Sequence, residues 1–414
     1  MFRYTELKKT DGKVMLAIAG EMKRQEEGLE MIASENYASP AVIETLGTVF
    51  TNKYSEGYPG RRYYGGQEFT DVVETLAIDR AKKLFGAEHV NVQPLSGASA
   101  NMSAYAALLQ PGDTVLGMDL SHGGHLTHGH PVTFTSKIFR FVRYKTEADG
   151  SIDYRKLEAL AKVEKPKLLL AGFSSYTRQI DYAKFVAVGK KVGAITMMDM
   201  AHIAGLVAGG VVPNPVEYFD IVTTTTHKTL RGPRGGMILS REQFAKDIDK
   251  AVFPGIQGGP HMNIIAAKAV AFQEASKASF KKYASQMLKN ATKLSVEFQR
   301  RGYHVLFGGT ENHMILIDVW RTLGVSGREA ETLLDAIGIT INKNVIPDET
   351  RSPMDPSGIR IGVPAVTTRG MKERDIQKIV EWMDQALRSK GDERCLKVLR
   401  KEVRVLCKRF PLYQ

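Results

Sequence analysis

The chain has 414 residues, a formal net charge of +12, 43% hydrophobic residues and 25% charged residues. These values are ordinary for a globular protein of two or three domains. No run of 18 apolar residues is present, which argues against a membrane-spanning helix, and no apolar signal segment opens the chain. The two cysteines predict a reducing, cytoplasmic location and argue against a disulfide scaffold or a thiolate metal site.

Residues 1–55 are predicted to form an N-terminal helical arm and interface segment. Val14 to Ile32 carries apolar residues at helical spacing. The next stretch is rich in tyrosine and glycine, and with Tyr54, Glu56 and Tyr64 it predicts a loop that lines a site. A tyrosine-rich interface loop is the alternative. Because the arm has too little core to stand alone, we expect it to wrap a partner subunit.

Residues 56–275 alternate between helical and strand patterns. Alternation of this kind predicts a large α/β domain with a mostly parallel, seven-stranded sheet covered by helices on both faces. The predicted strands begin near residues 89, 114, 138, 167, 194, 220 and 236. Residues 276–414, with long amphipathic helices around short strands, predict a smaller C-terminal α+β domain.

Two of the predicted strands end in residues that carry chemistry. An apolar run ends at Asp199 and is followed by His202, and the strand from Asp220 runs through four threonines to His227 and Lys228. The carboxyl ends of strands in one open sheet share a crevice, where ligands usually bind. A lysine there is a candidate for a Schiff base. Taken alone, Lys228 would more often be a surface loop residue.

A turn at Ser96, Gly97 and Ala98 leads into a predicted helix. The free N–H groups and the positive end of the helix dipole can hold a phosphate. The dipole contributes only about 0.3–1 kcal/mol per charge, so direct hydrogen bonds must supply most of the binding. Many helix starts look like this one, and the turn alone is weak evidence.

Four histidines fall between residues 122 and 130. Glycines among them disfavour a helix that would align two imidazoles, and no cysteine or His-Glu-x-x-His pattern accompanies them, so no metal is expected. An imidazole stacked on a flat cofactor ring fits better. Further along, Arg360 lies in a short predicted strand, and an arginine can bind a carboxylate with two hydrogen bonds. By itself such an arginine is more often a structural ion pair.

A phosphate turn, a ring-stacking histidine, an aspartate, a lysine and a late arginine together form the set that pyridoxal phosphate needs to act on an amino acid. The aspartate keeps the pyridine nitrogen protonated, so that the ring can accept electrons. The lysine holds the cofactor covalently, and the arginine orients the carboxylate of the substrate.

The chain resembles a known family, the serine hydroxymethyltransferases of the prokaryotic type. The resemblance covers nearly all residues from Leu7 to Tyr413. The resemblance rests on long motifs, which are IASEN (32–36), NKYSEGYPGRRYYGG (52–66), QPLSGASAN (93–101), LSHGGHLTHG (120–129), DMAHIAGLVA (199–208), TTTTHKTLRGPRGG (223–236), PGIQGGP (254–260), NKN (342–344) and SGIRIG (357–362). Jointly these motifs are very specific.

The resemblance implies a fold-type I pyridoxal 5′-phosphate enzyme that is at least a homodimer, with active sites shared between subunits. It implies reversible transfer of a one-carbon unit from L-serine to tetrahydrofolate, giving glycine and 5,10-methylenetetrahydrofolate. Lys228 would be the Schiff-base lysine, Asp199 would pair with the pyridine nitrogen, and His125 would stack on the ring. Glu56 would be the acid–base group near the serine hydroxyl and the folate, with Tyr64 of the neighbouring subunit beside the substrate.

The resemblance implies binding residues as well. Those for the cofactor are Ser96, Gly97, Ala98, His125, Ser174, Asp199, His202, Thr225, His227 and Lys228, with Tyr54, Gly258 and Gly259 on the neighbour's side. Those for the amino acid and the folate are Ser34, Glu56, Tyr64, Arg360, Leu120, Gly124, His125, Leu126 and Asn344.

Some residues depart from the family's usual pattern. His261 and Asn263 stand where Leu and His are usual, and Met354-Asp355-Pro356 stand where Phe and two small residues are commoner. Ala98 occupies a position where other members have Ser or Ala, and Ser175 replaces a usual Ala. The first two departures affect the interface loop and the folate site.

Two other functions compete with this interpretation. One is a folate-independent aldolase for 3-hydroxy amino acids on the same fold, against which the intact Glu56 and the 120–126 loop argue. The other is nucleic-acid binding by the basic surface. The basic C-terminal stretch carries an apolar stripe of Leu396, Leu399, Val403 and Leu406, which predicts that it packs on the small domain and exposes its cations to solvent. We therefore expect neither nucleic acid nor membrane as a partner.

Overall fold

The structure, a computed structural model, describes residues 4–413, and its contacts divide them into two compact units. The larger unit consists of Asn36–Ser285 with Ile346–Asp348, and the smaller unit consists of residues 4–35, Gln286–Val345 and residues 349–413. This division differs from the boundaries expected at 55/56 and 275/276. Residues 4–35 belong with the C-terminal residues because a short strand and a helix of this segment pack against them.

The strands are short, and six of the fifteen in the described residues are buried at every position. They are β1 (Leu29–Glu30), β2 (Gly57–Tyr58), β3 (Arg61–Arg62), β4 (His89–Asn91), β5 (Thr114–Met118), β6 (Arg140–Tyr144), β7 (Leu168–Gly172), β8 (Ile195–Asp199), β9 (Ile221–Thr225), β10 (Gly236–Ser240), β11 (His304–Val305), β12 (Met314–Asp318), β13 (Ile339–Thr340), β14 (Asn342–Asn344) and β15 (Gly358–Gly362).

The helices connect and cover these strands. They are α1 (Thr5–Thr10), α2 (Gly12–Glu27), α3 (Pro40–Leu46), α4 (Glu68–Phe85), α5 (Gly97–Leu108), α6 (Tyr154–Glu164), α7 (Tyr182–Val192), α8 (Ala204–Ala208), α9 (Ala245–Lys250), α10 (Met262–Ala275), α11 (Ala278–Arg300), α12 (Val319–Leu323), α13 (Gly327–Ala336), α14 (Pro364–Thr368), α15 (Glu373–Arg388) and α16 (Glu393–Lys408). Single turns lie at Val49–Asn52, Leu126–His128, Phe134–Lys137, Pro215–Glu217, Glu242–Phe244, Ala251–Ile256 and Leu306–Gly308.

Seven strands of the larger unit form one sheet in the order β4-β10-β9-β8-β7-β5-β6. All its neighbouring pairs are parallel except those of β10, which runs antiparallel to both β4 and β9. The central strands β7 to β10 are buried along almost their whole length, as expected for a sheet covered by helices on both faces. The predicted fold class is therefore confirmed. The parallel strands β4, β8 and β9 end at one edge, which brings together the residues that follow them.

Helix α5 begins beside this edge, and local chemistry fixes its start. Ser96 caps the helix by accepting a hydrogen bond from the backbone N–H of Ser99 at 3.1 Å, and Ser99 Oγ accepts one from the N–H of Ser96 at 2.9 Å. A reciprocal cap of this kind satisfies two backbone donors at the start of the helix.

The smaller unit is built around the antiparallel sheet β11-β12-β15-β14. Its N-terminal segment differs from the predicted helix over Val14 to Ile32. The helix α2 ends at Glu27, and Leu29–Glu30 forms β1, which pairs with β13. The prediction was wrong beyond Glu27 because the apolar residues of a strand edge continue the helical spacing by coincidence.

The basic C-terminal helix α16 packs as predicted. Leu399, Val403 and Leu406 are buried, and the helix contacts α15 and α2 of the same unit. Lys397, Lys401 and Arg404 remain exposed on the other face. Within residues 4–413, no helix combines the length and the apolar character that crossing a bilayer would require.

Candidate active site

The carboxylate of Asp199, at the end of β8, lies at the centre of the site. Its Oδ2 accepts hydrogen bonds from Asn101 Nδ2 at 2.9 Å and His128 Nε2 at 3.1 Å, and its Oδ1 accepts one from the N–H of Ala201 at 3.0 Å. Burial alone would raise the pKa of Asp199, but the hydrogen bond and charge of His128, with the charges of His125 and Lys228, hold it well below its usual range. Asp199 is therefore a buried anion at neutral pH.

Two residues that sequence reasoning did not select hold this anion in place. Asn101 also donates to Thr127 Oγ1 at 2.8 Å and accepts from Thr223 Oγ1 at 2.6 Å, so its amide is fixed on both sides. His128 accepts the backbone N–H of His125 at Nδ1, which puts its proton on Nε2, facing Asp199. Both residues lie within the recognised motifs, and an amide on the buried face of α5 was the signal that could have identified Asn101.

Lys228 follows β9 and is half-buried. Its backbone carbonyl accepts a hydrogen bond from Asn36 Nδ2 at 2.9 Å, and its charge contributes to the lowered pKa of Asp199. Beside it, burial and the charges of Arg234 and Lys228 lower the pKa of His227 to about 3, so this imidazole is neutral at physiological pH. The structure thus brings together the lysine and the aspartate that the sequence placed at the ends of two strands.

The turn before α5 approaches other backbone closely. A Cβ atom on Gly97 would lie 2.7 Å from Cγ2 of Thr225, and one on Gly236 would overlap the carbonyl oxygen of Ser96. Only glycine fits at both positions, so the chain forms a tight concave turn at the start of a 12-residue helix. The first N–H groups of such a helix point outwards and can donate to an anion.

The loop of residues 120–126 is folded tightly against β5 and the residues after β7. Gly123 has a φ of +113°, and its carbonyl accepts the N–H of Ser174 at 2.7 Å. A side chain at Gly124 would overlap the carbonyl oxygen of Met118. His125 is half-buried, and its Nδ1 is 2.8 Å from Thr127 Oγ1. The loop therefore presents His125 in a fixed orientation, with Leu120 and Leu126 on the same loop.

His125, His128 and Asp199 could in principle bind a metal ion, since one ligand atom of each lies within 4.8 Å of the others. His128 and Asp199 are already hydrogen bonded to each other, and Asp199 accepts three donors. A metal would have to break this pair and displace these donors. This arrangement suits a carboxylate that pairs with one cationic group better than it suits a metal centre.

His202 comes three residues after Asp199 and is buried. Its backbone carbonyl accepts a hydrogen bond from Thr229 Oγ1 at 2.9 Å, which ties the residues after β8 to those after β9. Ser174, after β7, is half-buried. These residues, with Thr225, follow or end adjacent strands of the sheet.

A second group of predicted residues gathers elsewhere in the larger unit. The rings of Tyr54 and Tyr64 are 5.4 Å apart in an edge-to-face contact. A Cβ atom on Gly259 would lie 3.3 Å from the Tyr54 ring, and one on Gly258 would lie 3.4 Å from Glu56 Oε1. The negative charge and hydrogen bonding of Glu56 raise the pKa of Tyr54. Tyr54 and Tyr64 are 57% and 51% exposed, so this group faces outwards from the single chain.

A buried network fixes the backbone on both sides of Glu56. Arg62 donates to the carbonyls of Ser55 and Gly57, both at 2.9 Å, and Gln93 donates to the same carbonyl of Gly57 at 2.9 Å. Glu74 accepts hydrogen bonds from both Arg62 and Gln93. The backbone that carries Glu56 is thus held rigidly, although its side chain reaches the surface.

The remaining predicted residues lie in the smaller unit. Arg360, in the middle of β15, is 8% exposed and its Nε donates to Asn342 Oδ1 at 3.1 Å. Burial lowers the pKa of Arg360 to about 10, which leaves it charged at neutral pH. The segment that carries Ser34 packs on the end of the same strand, since the N–H of Gly362 donates to the carbonyl of Met31 at 2.8 Å. Asn344 ends the neighbouring strand β14.

Comparison with known proteins places the chain in a family. The family model described as serine hydroxymethyltransferase matches residues 7–383. The chain belongs to the serine hydroxymethyltransferase family. It is 55% identical over 408 residues to the serine hydroxymethyltransferase of Koribacter versatilis, covering 98% of this chain and 96% of that protein. It is also 55% identical to the serine hydroxymethyltransferase of Acidobacterium capsulatum, covering 98% of this chain and 95% of that protein. The resemblance stated above is thereby confirmed.

Serine hydroxymethyltransferases are fold-type I enzymes that depend on pyridoxal phosphate and use tetrahydrofolate as co-substrate. The residues of this chain fit that cofactor. A buried carboxylate kept ionised suits a protonated pyridine nitrogen, and the first N–H groups of α5 suit a phosphate. The cofactor predicted from the sequence is therefore confirmed at the level of the family.

The amide of Asn101 should be needed to keep Asp199 in place. We expect Asn101→Ala to lower the free energy of unfolding by about 1–3 kcal/mol, because a buried carboxylate and a buried hydroxyl each lose a partner. The affinity for pyridoxal phosphate should fall as well. Thermal unfolding and titration of the cofactor by absorbance would measure both.

The matched control is Ser103→Ala on the same helix. Ser103 Oγ is buried and has no hydrogen-bond partner among residues 4–413. This variant should leave the free energy of unfolding nearly unchanged, and its affinity for pyridoxal phosphate should stay within a factor of about two of that of the wild type. If Asn101→Ala behaved like Ser103→Ala, the role given to the amide would be wrong.

Proposed function

We propose that this protein catalyses the reversible transfer of a one-carbon unit from L-serine to tetrahydrofolate, giving glycine and 5,10-methylenetetrahydrofolate. Membership of the family supports this activity. The observation that carries it is the buried, ionised Asp199 in the same site as Lys228, beside the tight turn at Ser96–Gly97.

Pyridoxal 5′-phosphate, when bound, supplies an electron sink that allows bonds at the α-carbon of an amino acid to break. In our proposal Asp199 pairs with the pyridine nitrogen, His125 lies against the ring and Lys228 attaches the cofactor covalently. Because Asp199 is desolvated and fixed by three donors, it can favour a proton on its partner without moving. Residues proposed to hold the phosphate and the rest of the cofactor are Ser96, Gly97, Ala98, Ser174, His202, Thr225 and His227.

The amino-acid substrate is proposed to bind through Ser34 and Arg360. A buried, charged guanidinium binds a carboxylate strongly because its donors form a planar pair. Arg360 meets this description, and its position on a central strand keeps it rigid. The proposed folate-binding residues are Leu120, Gly124, His125, Leu126 and Asn344.

Glu56 is proposed as the group that exchanges a proton with the serine hydroxyl oxygen or the folate amine. A carboxyl group can donate a proton in one direction of the reaction and accept it in the other. The rigid backbone on both sides of Glu56 supports this role, since proton transfer needs a fixed distance. Tyr54 and Tyr64 beside it are exposed, which supports the proposal that Glu56 acts in the active site of a neighbouring subunit.

We further propose that the protein is a homodimer whose subunits complete each other's sites. Helix α4 exposes Phe69, Val72 and Leu76, which lie on one face at helical spacing and are 68%, 52% and 39% exposed. An apolar stripe of this kind marks an association surface. The second group of site residues, Tyr54, Glu56, Tyr64, Gly258 and Gly259, belongs to the same unit and would act in the partner's site.

We propose a cytoplasmic location, as the cysteine content predicted. Cys395 and Cys407 are both free thiols. A reducing compartment keeps such thiols unpaired.

Lys228 provides the direct test of the proposed activity. Lys228→Ala should fold but lose the visible absorption band of the lysine-bound cofactor and nearly all turnover of serine. Lys184→Ala, which removes an exposed lysine from α7, should retain both. Absorbance spectra and a folate-dependent serine assay would decide, and turnover by the Lys228 variant at the level of the wild type would contradict the assignment.

Glu56 separates this function from the folate-independent aldolase. Glu56→Gln should keep the cofactor and still bind glycine, but lose most folate-dependent cleavage of serine, because the amide cannot exchange the proton. Cleavage of bulkier 3-hydroxy amino acids without folate should suffer much less. Both activities would be measured on one preparation, and equal losses would mean that Glu56 has no folate-linked role.

The apolar stripe of α4 tests the dimer. Val72→Glu should convert the protein to monomers, because a carboxylate cannot be buried at an apolar interface without a partner. Its activity should fall with dissociation if the sites are shared. Val163→Glu on α6, a change at an isolated position that is 76% exposed, is the control and should leave the dimer intact. Light scattering after size-exclusion chromatography would show whether the Val72 variant still dimerises.

A further inference from the structure

Lys268, on α10, is almost completely buried although it carries an amine. Its side chain is 1% exposed, and its Nζ donates to the carbonyl oxygens of Val92 at 2.6 Å, Gly236 at 2.7 Å and Pro94 at 3.0 Å. An ammonium group has three donors, and here each has one backbone acceptor.

The surroundings of Lys268 make it a costly residue. Burial lowers the pKa of Lys268, and the charge of Glu74 opposes this only in part. An apolar side chain of similar length, such as Met, would avoid the desolvation of the amine. What a lysine adds at this position is therefore the geometry that its three hydrogen bonds impose.

The three acceptors belong to the two chain segments that flank the turn at Ser96–Gly97. Val92 and Pro94 lie between β4 and the turn, and Gly236 begins β10 on its other side. The carbonyl of Pro94 also accepts the N–H of Gly236 at 2.9 Å. Lys268 thus donates hydrogen bonds to both segments. One of its acceptors is Gly236, where a Cβ atom would overlap the carbonyl oxygen of Ser96.

We propose that Lys268 is a positioning residue for the cofactor phosphate. Its three hydrogen bonds fix the backbone beside the Ser96–Gly97 turn, so that the N–H groups of the turn stay where they bind the anion. This inference rests on the proposed function, which assigns the phosphate to that turn. Lys268 itself would touch neither cofactor nor substrate. It acts through the carbonyls of Val92, Pro94 and Gly236, whose positions set those of the N–H groups in the turn.

The test compares a ligand with the phosphate and one without it. Full-length protein stripped of cofactor would be titrated with pyridoxal 5′-phosphate and with pyridoxal. Lys268→Met should weaken the binding of pyridoxal 5′-phosphate at least tenfold and that of pyridoxal less than threefold. A merely structural loss would weaken both ligands alike, and that result would overturn the proposal.

Arg369→Met is the matched control. Arg369 is another buried cation that donates to backbone carbonyls, those of Gly28, Cys407 and Phe410, but it belongs to the smaller unit. Its loss should lower the temperature of unfolding without changing the ratio of the two affinities. A changed ratio in this variant would show that the ratio reports general stability, and would also overturn the proposal.

A second variant keeps the amine and displaces it. A Cβ atom on Gly235 would lie 2.5 Å from Cε of Lys268, so Gly235→Ala should push the end of the lysine away from its acceptors. We expect the same selective loss as in Lys268→Met, but smaller. This variant serves if Lys268→Met does not fold, and unchanged selectivity in it would count against the proposal.

Ser96→Ala separates failure of this inference from failure of the proposed site. If Ser96→Ala selectively weakens pyridoxal 5′-phosphate and Lys268→Met does not, the turn binds the phosphate and the role of Lys268 is wrong. If neither variant is selective, the phosphate is not bound at this turn.

Discussion

The structure depends on an anion that is kept buried. Asp199 can remain ionised inside the larger unit only because three donors, including a histidine whose proton faces it, offset the loss of water. The sheet topology supplies those donors, since α5 with Asn101 follows β4, the turn with His128 follows β5, Ala201 follows β8, and these three strands run in the same direction, so that their carboxyl ends lie at one edge. The same edge holds Lys228 and the turn before α5. The fold and the chemistry are thus connected through the direction in which the strands run.

The sequence predicted the strands of the large sheet well and a nearly uniformly apolar helix poorly. Strands β4, β5 and β10 begin at the residues that the pattern predicted. Helix α10, which carries Lys268, was not predicted. Its own sequence is apolar nearly all the way round and therefore shows no amphipathic period. The end of α2 was misplaced because a buried strand can continue a helical spacing for a few residues.

The candidate site shows a similar division. Residues that carry reactive groups at strand ends, such as Asp199 and Lys228, could be selected from their local surroundings. His128 could not, because its importance comes from its contact with Asp199, which no local pattern encodes, and Asn101 offered only the weak signal of an amide on the buried face of α5. The same applies to Lys268, since a lysine in a helix is usually exposed, and only its depth distinguishes it.

Gln93 has a position whose meaning appears only at the level of the proposed dimer. Its side chain supports the loop that carries Glu56, while its backbone belongs to the segment that leads to the Ser96–Gly97 turn of the same chain. In the proposed dimer, Glu56 would serve one active site and the turn would serve the other. One side chain would therefore support parts of two catalytic centres, and a substitution at Gln93 would disturb both of them at once.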